Sequence, residues 1–205
     1  MGRPKGHGAQ TRAALLAAAA EILHAEGAGA VSVRRVATAA GTSTRAVYSL
    51  FEDKEGLLRA MAEDVAETMR RHHEAVPERS DPCAEIVDLA LGYRAAALAK
   101  PELYDLFFSL ARAGSDRDDP LVRLVYRSFE RVLRVIRRGV AEGVFPGRDE
   151  FGIGRHLFAL VHGLASLELS GILGAGRAPA VWRQSVEATL AGLRQPPSGT
   201  APGVP

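Results

Sequence analysis

The strongest constraint on this chain is the spacing of its apolar residues. They recur every three to four positions almost throughout, while alternating β-branched runs bounded by turn residues are essentially absent. Side chains three and four apart share one face of an α-helix, whereas a half-buried strand needs every second position. The chain is therefore expected to be all-α, with about nine helices. With 205 residues, 47% of them hydrophobic and 24% charged, it has the composition of a folded globular protein and ample material for a core.

Capping and breaking residues set the expected boundaries. A first helix runs from about Ala9 to Glu26, with Leu15, Ala18, Ala19, Ile22 and Leu23 on one face and Gly27 as its stop. Two short helices follow, Val33 to Ala40 capped by Ser32 and Thr44 to Phe51 capped by Ser43, with Gly41 between them. Asp53 caps a fourth helix that fades before Pro77. Asp81-Pro82 and Asp119-Pro120 each put a capping carboxylate before a proline at the first helical position, which starts the fifth and seventh helices; Pro101 starts a short sixth. An eighth runs from Glu150 to Leu173, and a ninth opens at Pro179 and ends near Leu193. The domain reading is a flexible basic arm over 1–8, a head over 9–53 and a helical body over 54–194 in which 54–76 connects the two. The Pro- and Gly-rich tail 195–205 is expected to be disordered.

Charge is distributed unevenly between these parts. Residues 1–51 hold six Lys and Arg against Glu21 and Glu26, a balance of +4, and the remainder carries −2. The excess positive charge thus sits on the head, where a polyanion would dock. Two short helices joined by a glycine-containing turn describe a helix-turn-helix, whose second helix enters the DNA major groove. Val36, Ala37, Ala40, Val47 and Phe51 are spaced to form its miniature core.

The order of residue types identifies a family. From Arg12 to Met61 the chain resembles the DNA-binding domain of TetR repressors: Ala37, Ala40-Gly41, Ser43, Tyr48, Phe51, Lys54 and Leu57-Leu58 fall on that pattern. Further on, Phe158-Ala-Leu-Val-His-Gly-Leu-Ala-Ser-Leu-Glu168 resembles the Trp-His-Gly type of C-terminal domain, with Val161 where that signature has tryptophan. Pro101 to Tyr104, followed by Leu106-Phe107-Phe108, is similar to a second stretch of that type. The resemblance implies a transcriptional regulator that binds double-stranded DNA at a palindromic operator as a homodimer and answers to a small-molecule effector. Repression is part of what it implies.

On the outer face of the head, Arg45 is the candidate for reading a base edge, because a guanidinium bonds guanine O6 and N7 together; Thr44 and Ser49 assist. The hydroxyls of Ser32, Thr42, Ser43 and Tyr48, and the ammonium of Lys54, suit phosphate oxygens. Arg34 is assigned to backbone or base, and Arg3 and Lys5 to a basic arm for the minor groove. In the body, Tyr93, Tyr104, Phe107, Phe108, Tyr126, Phe129, Phe158 and His162 are candidates for an effector pocket, which is mostly apolar with few polar groups. The resemblance places dimerisation on the last two helices. Leu157, Leu160, Val161, Leu164 and Leu167 follow helical spacing there, Leu190 and Leu193 flank them, and Gly163, Ala165 and Ser166 permit close approach.

Other functions find little support. A glycine-rich phosphate loop, a nucleophile elbow and a metal-ligand cluster are all missing from the sequence, so neither an enzyme nor a cofactor is expected. His72 and His73 are adjacent and cannot share a helix face, which argues against a metal site. The single cysteine, Cys83, fits a reducing cytoplasm and forms no internal disulfide; a redox-sensing role for it stays open, as does a regulator that activates or needs no ligand. Phe151 to Leu173, the longest apolar stretch, carries Arg155, His156, His162 and Glu168 and is not expected to enter a membrane.

Overall fold

The computed structural model describes residues 5–101, 103–104 and 120–196. Among them are nine α-helices and no strand: α1 (Lys5–Glu26), α2 (Val33–Ala39), α3 (Thr44–Phe51), α4 (Lys54–Glu74), α5 (Pro82–Ala99), α6 (Pro120–Ser128), α7 (Glu130–Ala141), α8 (Glu150–Leu169) and α9 (Ala178–Leu193). A 3-10 turn, Ala28–Ala30, follows α1. Pro101, Leu103 and Tyr104 are helical as well, where a sixth helix was expected.

Three boundaries differ from the sequence reading. The first helix begins at Lys5 rather than Ala9, so residues 5–8 belong to a helix and not to a flexible arm. The expected seventh helix is two, because it breaks at Phe129. There the carbonyl of Ser128, which a continuous helix would use internally, accepts from the imidazole of His73 at 2.9 Å. The eighth helix ends at Leu169, not Leu173: Gly171 takes φ +79°, a left-handed turn that the apolar Ile172 and Leu173 conceal in the pattern.

The chain divides into two compact units. One comprises residues 1–68 and 100–127, the other 69–99 and 128–205, and the division runs through α4 between Thr68 and Met69. In the first unit α1, α2 and α3 pack on one another. Its core holds Leu15, Ala19, Val31, Val36, Ala37, Val47, Phe51, Leu57 and Met61, all buried. Ala40 of the expected miniature core is only half-buried. The Arg12 guanidinium lies 5.6 Å from the Phe51 ring centroid and 3.9 Å from Glu63, so one side chain joins α1, α3 and α4.

In the second unit α5 packs against α7, α8 and α9. Its core includes Leu89, Tyr93, Ile136, Phe145, Ile153, Trp182 and Val186. A carboxylate is buried with them: Glu85, 1% exposed, accepts from the Arg79 backbone at 3.0 Å and from the guanidiniums of Arg131 at 2.8 Å and Arg138 at 2.9 Å. Burial alone would raise this carboxyl. The three donors outweigh it and hold Glu85 below its ordinary value, so the group stays charged. Arg94 grips Glu168 with two nitrogens, at 2.9 and 2.6 Å, and the Trp182 indole N–H donates to the same carboxylate at 2.8 Å. That junction joins α5, α8 and α9.

Candidate nucleic-acid interface and buried aromatic cluster

The head is assembled by short-range bonds. Ser32 Oγ accepts the Arg35 N–H at 3.4 Å and Ser43 Oγ accepts the Ala46 N–H at 3.3 Å, so both serines cap the helices they precede. Gly41, at φ +63°, turns the chain from α2 to α3, a conformation that costs a side chain strain. Asp53 accepts the Gly56 N–H at 2.7 Å and starts α4. A Cβ on Gly56 would lie 1.8 Å from the Phe51 carbonyl oxygen, so the α3–α4 corner closes only on a glycine.

With Val47 and Phe51 turned into this core, α3 presents Thr44, Arg45, Tyr48 and Ser49 outward, all exposed, Tyr48 by 55%. Arg34 is exposed on α2, Ser43 is exposed, and Ser32, Thr42 and Lys54 are half-buried. Arg3 lies outside the described residues, and Lys5 is the first residue of α1. The neighbouring arginines of α2 differ in use. Arg35 donates to Glu26 at 2.9 Å and to the Ala30 carbonyl at 3.4 Å, which ties α2 to the end of α1; its hydrogen bond to Glu26 raises its own pKa and lowers that of the carboxylate. Arg34 and Arg45 form no ion pair among the described residues. Arginines whose guanidiniums are exposed and unspent are what a DNA backbone or base edge requires. Sequence reasoning passed over Arg35 and Arg12, whose partners Glu26, Glu63 and Phe51 become neighbours only once the helices pack.

The pocket candidates separate. Tyr93, Phe129, Phe158 and His162 come together in the second unit: Tyr93 and Phe129 centroids are 5.7 Å apart, Phe158 meets Phe129 edge-on at 5.5 Å, and His162 stacks on Phe158 at 5.6 Å. Two rings that the sequence reading did not include complete the cluster, His73 at 5.6 Å from Phe129 and Trp182 at 6.3 Å from Tyr93. Tyr104, buried, and Tyr126, 51% exposed, belong to the first unit, and Phe107 and Phe108 lie outside the described residues.

Of the leucine-rich set assigned to dimerisation, Leu157, Val161, Leu164, Leu190 and Leu193 are buried inside the protomer, Leu160 is half-buried and Leu167 is 40% exposed. α8 and α9 leave a different face open, Ala159, Gly163, Ser166 and Leu167 on one and Ala180, Gln184, Ala188 and Ala191 on the other. The periodicity could not separate these faces, since apolar residues suit a core and an interface equally. Cys83 is 8% exposed, and burial raises its thiol, opposite to the shift a reactive cysteine needs. Among the described residues no group of three His, Cys, Asp or Glu could hold a metal ion, and no helix is long and apolar enough to cross a membrane.

A capped, glycine-turned pair of short helices with a basic and hydroxylic outer face defines a helix-turn-helix DNA-binding protein. Residues 15–61 match the family described as bacterial regulatory proteins, tetR family, and residues 86–193 match the tetracyclin repressor-like C-terminal domain. The chain therefore belongs to the tetR family and is a transcriptional regulator with a DNA-binding domain. Among solved structures, it is similar to a protein of unknown function from Rhodococcus sp. RHA1, with 28% identity, 90% of this chain and 96% of that one covered, and a TM-score of 0.75. The TetR family regulator PfmR from Thermus thermophilus shares the fold at 23% identity, with 87% and 98% covered and a TM-score of 0.71. A tetR-family regulatory protein from Rhodococcus RHA1 does so at 19%, with 89% and 96% covered and a TM-score of 0.72. No curated protein matches the chain.

Proposed function

We propose that this protein is a homodimeric, sequence-specific repressor that leaves a palindromic operator when a small-molecule effector occupies its second unit. The observation that carries the reading is the outward face of α3, where Arg45 stands exposed and without an ion pair between Thr44 and Ser49, on a helix whose other face is locked into the core. Arg45 reads a base edge, Thr44 and Ser49 assist, and Ser43, Tyr48, Thr42, Ser32 and Lys54 hold phosphates. Arg34 flanks them. A single head buries too little to bind tightly, and two-fold pairing through the open small-residue face of α8 and α9 doubles the contacts.

Release requires the effector to bind one of two conformations better. Coupling of this kind is typically about 1–3 kcal/mol, a five- to 150-fold change in DNA affinity. A redox route through Cys83 is disfavoured by its burial and raised thiol. The test is selection of random duplex DNA by the intact protein at physiological salt. Enrichment of an inverted repeat supports the reading. A folded dimer that enriches nothing removes it.

A further inference from the structure

His73 sits in the last turn of α4 and is 1% exposed. Its Nδ1 lies 2.9 Å from the Ser128 carbonyl oxygen. A carbonyl oxygen only accepts, so Nδ1 carries the ring proton and Nε2 is left as a bare lone pair. That Nε2 is buried and has no hydrogen-bond partner. Buried polar atoms are almost always paired, and a buried acceptor without a partner is a place where a donor from outside the chain can bond. The surroundings are rings, with Phe129 at 5.6 Å and Tyr93 at 6.5 Å from the imidazole centroid. Phe129, Phe158 and His162, which extend the cluster, are half-buried.

We propose that His73 Nε2 accepts a hydrogen bond from the effector, and that the effector is an uncharged molecule with a flat apolar body and one O–H or N–H donor. Phenol is the simplest example. This deepens the reading that the second unit holds the effector and rests on it. The ring excludes other chemistries. A carboxylate brings only lone pairs to a lone pair, and burial, ahead of the weaker charges of His72 and Arg131, pushes the imidazole down to about 4, so it does not protonate to meet an anion at neutral pH. Arg131 offers no second chance to an anion, since its guanidinium is committed to Glu85 at 2.8 Å. The Phe129 and Tyr93 rings beside the imidazole favour a flat partner. α4 is continuous from Lys54, just after the reading helix, so a ligand on its last turn acts on the element that leads to the head.

The test uses the intact protein, calorimetric titration with phenol, anisole and benzoate, and nitrogen spectra of the histidine rings. Phenol is expected to bind about tenfold more tightly than anisole, which keeps the ring and loses the donor, and than benzoate. It is also expected to shift the His73 Nε2 resonance in the direction of an accepted hydrogen bond. His73→Phe should abolish the preference for phenol, while His73→Gln, which keeps an acceptor oxygen at similar reach, should retain part of it. Equal binding of phenol and anisole by the unaltered protein, or no binding of phenol, overturns the proposal. So does an Nε2 resonance that already reports a hydrogen bond before ligand is added, because a water then supplies the donor. A preparation that enriches an inverted repeat but ignores phenol contradicts the effector assignment alone; one that enriches no DNA contradicts the regulator reading.

Discussion

The two units use polar side chains in opposite ways. In the head, Arg34, Arg45, Thr44 and Ser49 point outward, and the bonds that shape the site, Ser32 to Arg35 and Ser43 to Ala46, span three residues. In the second unit the decisive polar groups are turned inward and joined across long stretches of chain. Glu85 meets Arg131 and Arg138, Arg94 meets Glu168, and His73 meets Ser128, 55 positions away. The head is a surface whose chemistry waits for a partner. The second unit is a core whose inward-turned carboxylates, Glu85 and Glu168, are already matched by arginines, with His73 Nε2 and Arg138 Nε the buried side-chain atoms that lack a hydrogen-bond partner among the described residues. The difference teaches where substitutions should act: on stability in the second unit, on recognition in the head.

The largest expected effect is therefore in the second unit. Glu85→Ala leaves Arg131 and Arg138 facing each other without their carboxylate, and removing one partner of a buried ion pair costs about 3–5 kcal/mol. A chemical-denaturation midpoint that does not move would place Glu85 in a solvated, dispensable role. Acid should weaken the same unit. His73 is held neutral, with its pKa pushed from 6.5 to about 4 by burial, whereas the unfolded chain protonates near the ordinary value. The unfolded state thus binds more protons across that interval, and stability falls as pH drops from about 6.5 to 4, by up to roughly 3 kcal/mol. His73→Phe should flatten that part of the curve; an unchanged slope would break the link between His73 and acid sensitivity.

Where the head meets α4, Gly56→Ala is the exception that sharpens the contrast, since its Cβ would meet the Phe51 carbonyl at 1.8 Å and something must shift. A loss above about 2 kcal/mol, seen as a lowered melting temperature with weakened DNA binding, is expected. Ser43→Ala should cost less, about 1 kcal/mol of stability for the lost cap. Lys54→Ala should leave stability nearly unchanged and reduce the salt dependence of DNA binding by about one charge. A slope that does not change would remove Lys54 from the phosphate contacts.

The same contrast explains what could be read from the sequence. The head's caps, its turn at Gly41 and its outward face follow from spacing within α2 and α3, so Ser32, Ser43 and the exposure of Arg45 were accessible without coordinates. The aromatic cluster was half legible: Tyr93, Phe129, Phe158 and His162 were singled out as rings, but nothing local says that His73 and Trp182 join them or that Tyr126 does not. His73 drew notice only beside His72. The leucines of α8 are ambiguous in the sequence for a physical reason, because Leu157, Val161 and Leu164, buried in the protomer, satisfy the helical period whether they meet their own protomer or a second one. The break at Phe129 was hidden too, since it depends on a carbonyl diverted to a side chain on another helix.

The central claim is that Arg45 reads a base. It is tested most directly by replacing each base pair of the selected half-site in turn and measuring affinity with the unaltered protein and with Arg45→Ala at one salt concentration. The account predicts a position, preferring guanine, at which the unaltered protein discriminates by about 1–3 kcal/mol and the variant does not, with the other positions keeping their preferences. A variant that loses affinity equally at every position would contradict it and make Arg45 a phosphate contact.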